Sequence, residues 1–313
     1  MKQNRSDLST WAAGALAIVA LAGLPLVAND YIVGVGLTLL MWVALTQSWC
    51  VLSQLTGYVS LGLVVFYGMG AYLVVISWQA VPLWLSIPGA GLLAAVFAFL
   101  VGLPVMRVRG PYFVILTFGL AELVKYSIVT GEAASGVASR ILFGTPELWL
   151  VYGLMLALAV ASVVLLAAVS RSRFGHGLRS LRENEEAAET VGVPVARFKL
   201  TAFVLSAAIP GMVGGVMALR STYFVAGQVF DPMISVTVIA MALLGGGDSP
   251  KGPLLGVVFL TLLSEVLWAQ APLVYMLILG AILMVFVLVL PNGLWGLWQE
   301  RRARQSRPVE VLP

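Results

Sequence analysis

The sequence predicts an all-α polytopic membrane helix bundle, and three observations predict it. First, 60% of the 313 residues are hydrophobic and 10% charged, with a mean hydropathy of +1.00, whereas a soluble domain carries roughly a quarter charged residues. Second, apolar runs of 17 to 23 residues recur along the chain. They match the ~20 residues that a helix rising about 1.5 Å per residue needs to cross ~30 Å of hydrocarbon. Third, Lys and Arg gather in alternate connections, as the positive-inside rule requires. Strand-length alternation is absent, which argues against a barrel.

Taken in order, the expected spans are 11–27, 31–50, 55–76, 83–105, 112–129, 148–169, 200–219, 231–247, 252–268 and 272–290, about ten transmembrane helices in a single membrane domain over 1–313. With the N-terminus in the cytoplasm, the inward loops hold Arg107, Arg109, Arg171, Arg173, Arg179, Arg182, Arg197, Lys199 and Lys251, and the inward tail 291–313 holds Arg301, Arg302, Arg304 and Arg307. The outward loops hold only Arg140 and Arg220. Both termini are therefore expected to be cytoplasmic. Residues 1–28 have a second reading as a cleaved signal peptide, since a basic start and an apolar stretch precede Leu26, Val27 and Ala28. The length of the run and the bulk of Leu26 favour a retained span. The 231–247 span ends in Gly245, Gly246 and Gly247, leaving a helical part of about 21 Å, so one broken or re-entrant segment is expected there. Such backbone is tolerated only when covered by protein or lining a wet cavity. Small residues at four-residue spacing, Ala207, Gly211 and Gly215, and again Gly252 and Gly256, let helix backbones approach closely. They serve packing within the chain or against a second membrane subunit. Trp295 and Trp298, followed by arginines, read as an interfacial anchor.

Several function classes are poorly supported. GGGDSPKG at 245–252 is not a phosphate loop, because Pro250 removes a donor and no hydroxyl follows Lys251. HExxH, GxSxG and paired histidine ligands are missing from the sequence, so neither metal nor hydrolytic chemistry is expected of this chain. Cys50 reads as a small buried hydrophobe. The net charge of +4 comes from residues flanking apolar runs rather than from a basic patch, so nucleic acid is not an expected partner; lipid is.

Polar groups inside spans are few, and each is a candidate by its cost. Glu122 and Lys125 can neutralise each other at i,i+3, and Glu265 stands alone. An ion-coupled secondary transporter using these three is one reading. The run TGYVSLGLVVFYGMGAY at 56–72 combines four glycines with hydroxyls, which suits either a pathway-lining helix or tight packing. Tyr58, Ser60, Phe66, Tyr67, Thr117 and Glu122 are the pathway candidates. A transport-free scaffold would tolerate changes on this face.

Residues 171–199 concentrate 10 of the 32 charged side chains. Leu178, Leu181, Ala188 and Val191 can share one side of a short helix there, ringed by Arg179, Arg182, Glu183, Glu185, Glu186 and Glu189. Glu186-Ala187-Ala188-x-x-x-Gly192 resembles the EAA loop of ATP-binding-cassette importer permeases, although the later Ile-x-Leu-Pro part is missing. The longer run FGHGLRSLRENEEAAETVGVPVARFKLTAFVLSAAIPGMVGGVMAL is similar to branched-chain amino acid permeases of the LivM type. So are GYVSLGLVVFYGMGAY, RGPYFVILTFGLAELVK, LLGGGDSPKGPLLG and PNGLWGL, spread from residue 57 to 297. Leu63 departs from the polar residue frequent in that family, and the outward loop TGEAASGVASRILFG lacks the Gly-Gly and Asp-Gly pattern common there. Both departures bear on the substrate rather than the class.

The resemblance implies a permease subunit of an importer in the bacterial inner membrane. Its expected partners are a second related permease, two cytoplasmic ATPases that bind the ATP, and a periplasmic binding protein; the chain itself would be no enzyme and carry no cofactor. Residues 170–199 would be its cytoplasmic coupling loop, with Arg179, Arg182, Glu183 and Glu186 making ionic contacts to the ATPase. Ala187, Ala188 and Gly192 would allow close approach. Branched-chain amino acids lead as cargo, with urea, short amides and small organic or aromatic acids behind.

Overall fold

The computed structural model describes residues 18–136, 139–246, 250–270 and 293–296, with a few positions between 277 and 284. Its helices are α1 (Ile18–Val27), α2 (Asp30–Thr56), α3 (Leu63–Ile76), α4 (Leu83–Val105), α5 (Pro111–Ala134), α6 (Leu148–Arg171), α7 (Arg173–Glu183), α8 (Glu185–Thr190), α9 (Val195–Ala218), α10 (Ala226–Val229), α11 (Met233–Gly245) and α12 (Lys251–Gln270). The result is an all-α membrane bundle. Among the described residues the one sheet is a pair of two-residue strands, β1 (Arg140–Ile141) and β2 (Tyr223–Phe224), which ties two connecting segments together.

Among the described residues six segments are long and apolar enough to cross a bilayer: α2, α4, α5, α6, α9 and Ala226–Gly245. That is fewer than the ten expected. The 11–27 run is described only from Ile18, as a short helix, and the 55–76 run yields only the 14 residues of α3. The 252–268 run becomes α12, while 272–290 and both chain ends lie largely or wholly outside the described residues. The expected boundary at 50–55 is absent because α2 runs on to Thr56, whose hydroxyl donates to the Leu52 carbonyl at 2.7 Å. Gly57 ends the helix at φ 78°, a left-handed conformation that costs glycine nothing, and returns its N–H to the Ser53 carbonyl.

Helix α2 is the central post, packed by α6, α9, α11 and α12. Around it, α9 presses against α3 and α4. A side chain at Gly211 would meet Ala94 and the Ala90 carbonyl, and one at Gly215 would meet Val74. Gly214, outside the four-residue pattern, lies against the backbone of Tyr67, and Ala207 is fully buried. Within the 231–247 run, α11 is continuous from Met233 to Gly245. A turn separates α10 from α11, where the Asp231 carboxylate accepts the Met233 N–H at 2.9 Å, and Gly246 adopts φ 63° beyond α11. Gly252 and Gly256 then let α12 fold back against α11, on the backbones of Gly246 and Met241. Buried Gln47 donates to the Pro250 carbonyl at 2.8 Å, which ties the residue before α12 to α2.

Candidate functional site

Between α2 and α3 the backbone of residues 57–62 is not helical, and in a low-dielectric interior its polar groups require partners. They come from three surrounding helices, α2, α5 and α11, and from the segment itself. The Trp49 indole donates to the Ser60 carbonyl at 2.8 Å, and the Thr117 hydroxyl accepts the Leu61 N–H at 3.2 Å. Ser235, in the first turn of α11, accepts the Val64 N–H at 3.1 Å and donates to the Leu61 carbonyl at 2.9 Å. Ser60 caps Gly62, and Thr56 accepts the Tyr58 N–H. Beside this segment lies a cavity of ≈ 10 Å³ lined by Trp49, Leu52, Ser60, Leu63, Phe66 and Ser206. That is room for one water at most, so no solute-sized space is open here in this conformation.

The structure brings together only part of the expected pathway set. Ser60 and Phe66 line the cavity, Phe66 edge-on to Phe203 at 5.4 Å, and Thr117 holds the wall through Leu61. Tyr67 is buried against α9. Glu122 stands apart on α5, 3.8 Å from Lys125, while Glu265 accepts a hydrogen bond from Tyr31. The two carboxylates thus have separate partners and do not form a relay pair.

Tyr58 turns away from the cavity into a polar cluster. Its hydroxyl donates to Glu185 Oε2 at 2.7 Å, and Lys199 Nζ donates to Glu185 Oε1 at 2.7 Å and to the Tyr58 hydroxyl at 3.1 Å. The same ammonium lies 4.5 Å from the Tyr58 ring centroid, a cation–π contact. Arg109, in the α4–α5 connection, approaches Glu185 at 3.4 Å and Glu186 at 3.9 Å. The Lys199 side chain is only 3% exposed and that of Glu185 14%. Burial pushes the Glu185 carboxyl up, but the hydrogen bonds from Lys199 and Tyr58, with the charges of Lys199 and Arg109, outweigh it. The group is held below its ordinary value.

The charged island forms two helices rather than one. Ser172 caps α7 by accepting the Gly175 N–H, and Asn184 breaks the chain and caps α8 by accepting the Ala187 N–H. Leu178, Leu181 and Ala188 face inward as their spacing predicts. Val191 does not: the break at Asn184 and the turn at Gly192, φ 91°, leave it 84% exposed. Ala188, expected at a partner surface, is instead part of the chain's own core. Glu183, Glu186, Ala187 and Gly192 are exposed, Arg179 is partly buried, and Arg182 donates to the Gln54 carbonyl at 3.1 Å.

The sequence reading missed Trp49, Arg109, Glu185, Lys199 and Ser235 as site residues. The one signal was Lys199, the cation that stands deepest in the apolar α9 run, two residues past Arg197.

Comparison with known proteins shows what this arrangement belongs to. Residues 31–288 match the family model described as the permease component of branched-chain amino acid transport systems. The chain belongs to this permease family. Among the relatives of this permease is the high-affinity branched-chain amino acid transport system permease protein LivM of Escherichia coli K12, 29% identical over 90% of this chain and 73% of that protein. The probable branched-chain amino acid transport permease protein LivH of Methanocaldococcus jannaschii is 23% identical over 75% of the permease and 84% of its own length. A shorter match, 35% identical over 30% of the permease, is to the L-arabinose transport system permease protein AraH of E. coli K12. No solved structure matches the permease.

Proposed function

We propose that the permease is a membrane subunit of an ATP-binding-cassette importer that moves branched-chain amino acids from the periplasm to the cytoplasm of a bacterium across its inner membrane. The observation that carries this reading is the α7–α8 pair. In a chain of 10% charged residues, this pair presents an exposed carboxylate face while its inner face is seated on the end of α2 and on segment 57–62. Two cytoplasmic ATPases would dock there and bind the ATP, a second related permease would complete the pathway, and a periplasmic binding protein would deliver the solute. The basic residues of the α4–α5 connection, α7 and the start of α9 share this end, which we therefore assign to the cytoplasm together with both termini.

Glu122 and Glu265, separately partnered, give an ion-coupled mechanism little to work with. The test is leucine uptake by proteoliposomes holding the complete complex. Uptake is expected to require ATP on the cytoplasmic face and to survive collapse of the proton gradient, with excess isoleucine or valine competing. Uptake driven by a proton gradient without ATP contradicts the proposal. Competition by urea, short amides or aromatic acids, but not by valine, reassigns the cargo.

A further inference from the structure

We propose that Tyr58, Glu185 and Lys199 form the mechanical link through which α8 moves the irregular segment 57–62 beside the cavity. The inference rests on the importer reading and adds to it a route from the docking helices to the pathway, with three positioning residues that touch no solute.

The three side chains close a ring. Glu185 uses one oxygen for Lys199 and the other for Tyr58, and Lys199 returns to the Tyr58 hydroxyl. Each comes from a different element: α8, α9 and the segment itself. Buried Lys199 is costly in an apolar bundle unless partnered, so the ring holds one geometry rather than sliding as an apolar contact would. Tyr58 is also wedged edge-on against Phe113 at 5.2 Å, in the first turn of the helix that carries Thr117. Two residues beyond Tyr58, Ser60 lines the cavity.

A second tie runs parallel. Arg182, in the last turn of α7, donates to the Gln54 carbonyl, and its Cγ would lie 3.3 Å from a side chain placed on Gly57. The helix pair therefore holds the chain on both sides of Gly57, at Gln54 in the last turns of α2 and at Tyr58 of the segment, and the left-handed backbone of Gly57 is the natural pivot. A displacement of α8 must carry Tyr58 with it or break the ring. Because segment 57–62 is held by single hydrogen bonds to Trp49, Thr117 and Ser235 rather than by a helical ladder, it is the part of the cavity wall that can follow.

The test compares wild type with Tyr58→Phe and with the double variant Glu185→Gln/Lys199→Met, each purified with its ATPase and reconstituted with the binding protein. Tyr58→Phe keeps the aromatic side chain and the Glu185–Lys199 ion pair but removes the hydroxyl that closes the ring, and the double variant removes both charges so that neither is stranded. Both are expected to retain the ATPase and hydrolyse ATP within about twofold of wild type while uptake per ATP falls about tenfold. Unchanged uptake per ATP overturns the link. Uptake and hydrolysis falling together with loss of bound ATPase also overturns it, because the residues would then serve assembly. Failure of the wild type itself to hold an ATPase overturns the importer reading, a result distinct from either variant outcome.

Discussion

Glu185→Ala is expected to cost about 3 kcal/mol of stability, the low end of what breaking a buried ion pair costs, because Glu185 keeps some solvent contact. The loss arises less from the pair's own attraction than from leaving the Lys199 ammonium, 3% exposed, without its carboxylate. Thermal unfolding in mild detergent measures it, and Glu185→Gln/Lys199→Met should recover most of the loss. Acid should reproduce part of the effect. The Glu185 carboxyl is held below its ordinary value in the folded protein, so its contribution is fully present above the unfolded carboxylate value of about 4.3 and disappears as pH falls through the lower folded value. Wild type should lose this part of its stability below about pH 4, while Glu185→Ala has none of it to lose. Equal acid sensitivity in the two proteins would show that the carboxylate is not what holds Lys199.

Gly214→Val should be at least as damaging, with a cost of about 3 kcal/mol or more. Overpacking is absorbed when the obstructing atom belongs to a flexible side chain, but a Cβ at Gly214 meets the Tyr67 carbonyl, whose carbon lies 2.7 Å and Cα 3.1 Å away. Helix α3 would have to withdraw from α9, taking with it Leu63 and Phe66 of the cavity wall. Gly119→Ala on α5 is the control, since no described residue lies within 4 Å of a Cβ placed there; it should be at least as stable as wild type. Size-exclusion profiles and melting temperatures of the two variants give the comparison.

Hydropathy alone located much of the bundle. The expected 83–105 and 148–169 coincide closely with α4 and α6, because a span must be apolar over its whole length and its ends are marked by Pro82, Glu147 and Arg171. The α2–α3 region defeated the same logic. The boundary expected at 50–55 does not form: Gln47 reaches across to Pro250 and Thr56 bonds to its own helix, so α2 continues. Helix α3 was overestimated because 57–62 is apolar enough to read as helix, although its backbone bonds go to Trp49, Thr117 and Ser235 instead.

The site divides in the same way. Ser60 and Phe66 stand out in the sequence because hydroxyls and an aromatic among glycines are unusual in a membrane span, and both line the cavity. The partnership of Tyr58 with Glu185 and Lys199 does not, since these residues are 127 and 141 positions apart in the chain and no local pattern joins them. Val191 was misplaced for a local reason: a helical wheel drawn through Asn184 ignores the break that its cap introduces.

The most direct test of the account is co-purification of the tagged permease from its native membrane with the exposed face of α8 altered by Glu186→Arg or Ala187→Trp. Neither residue contributes to the core, so both variants should insert and purify as wild type does. The account predicts that wild type brings down an ATPase and that both variants lose it. An ATPase retained by both variants, or none with wild type under gentle extraction, would contradict the assignment of α7–α8 as the docking element.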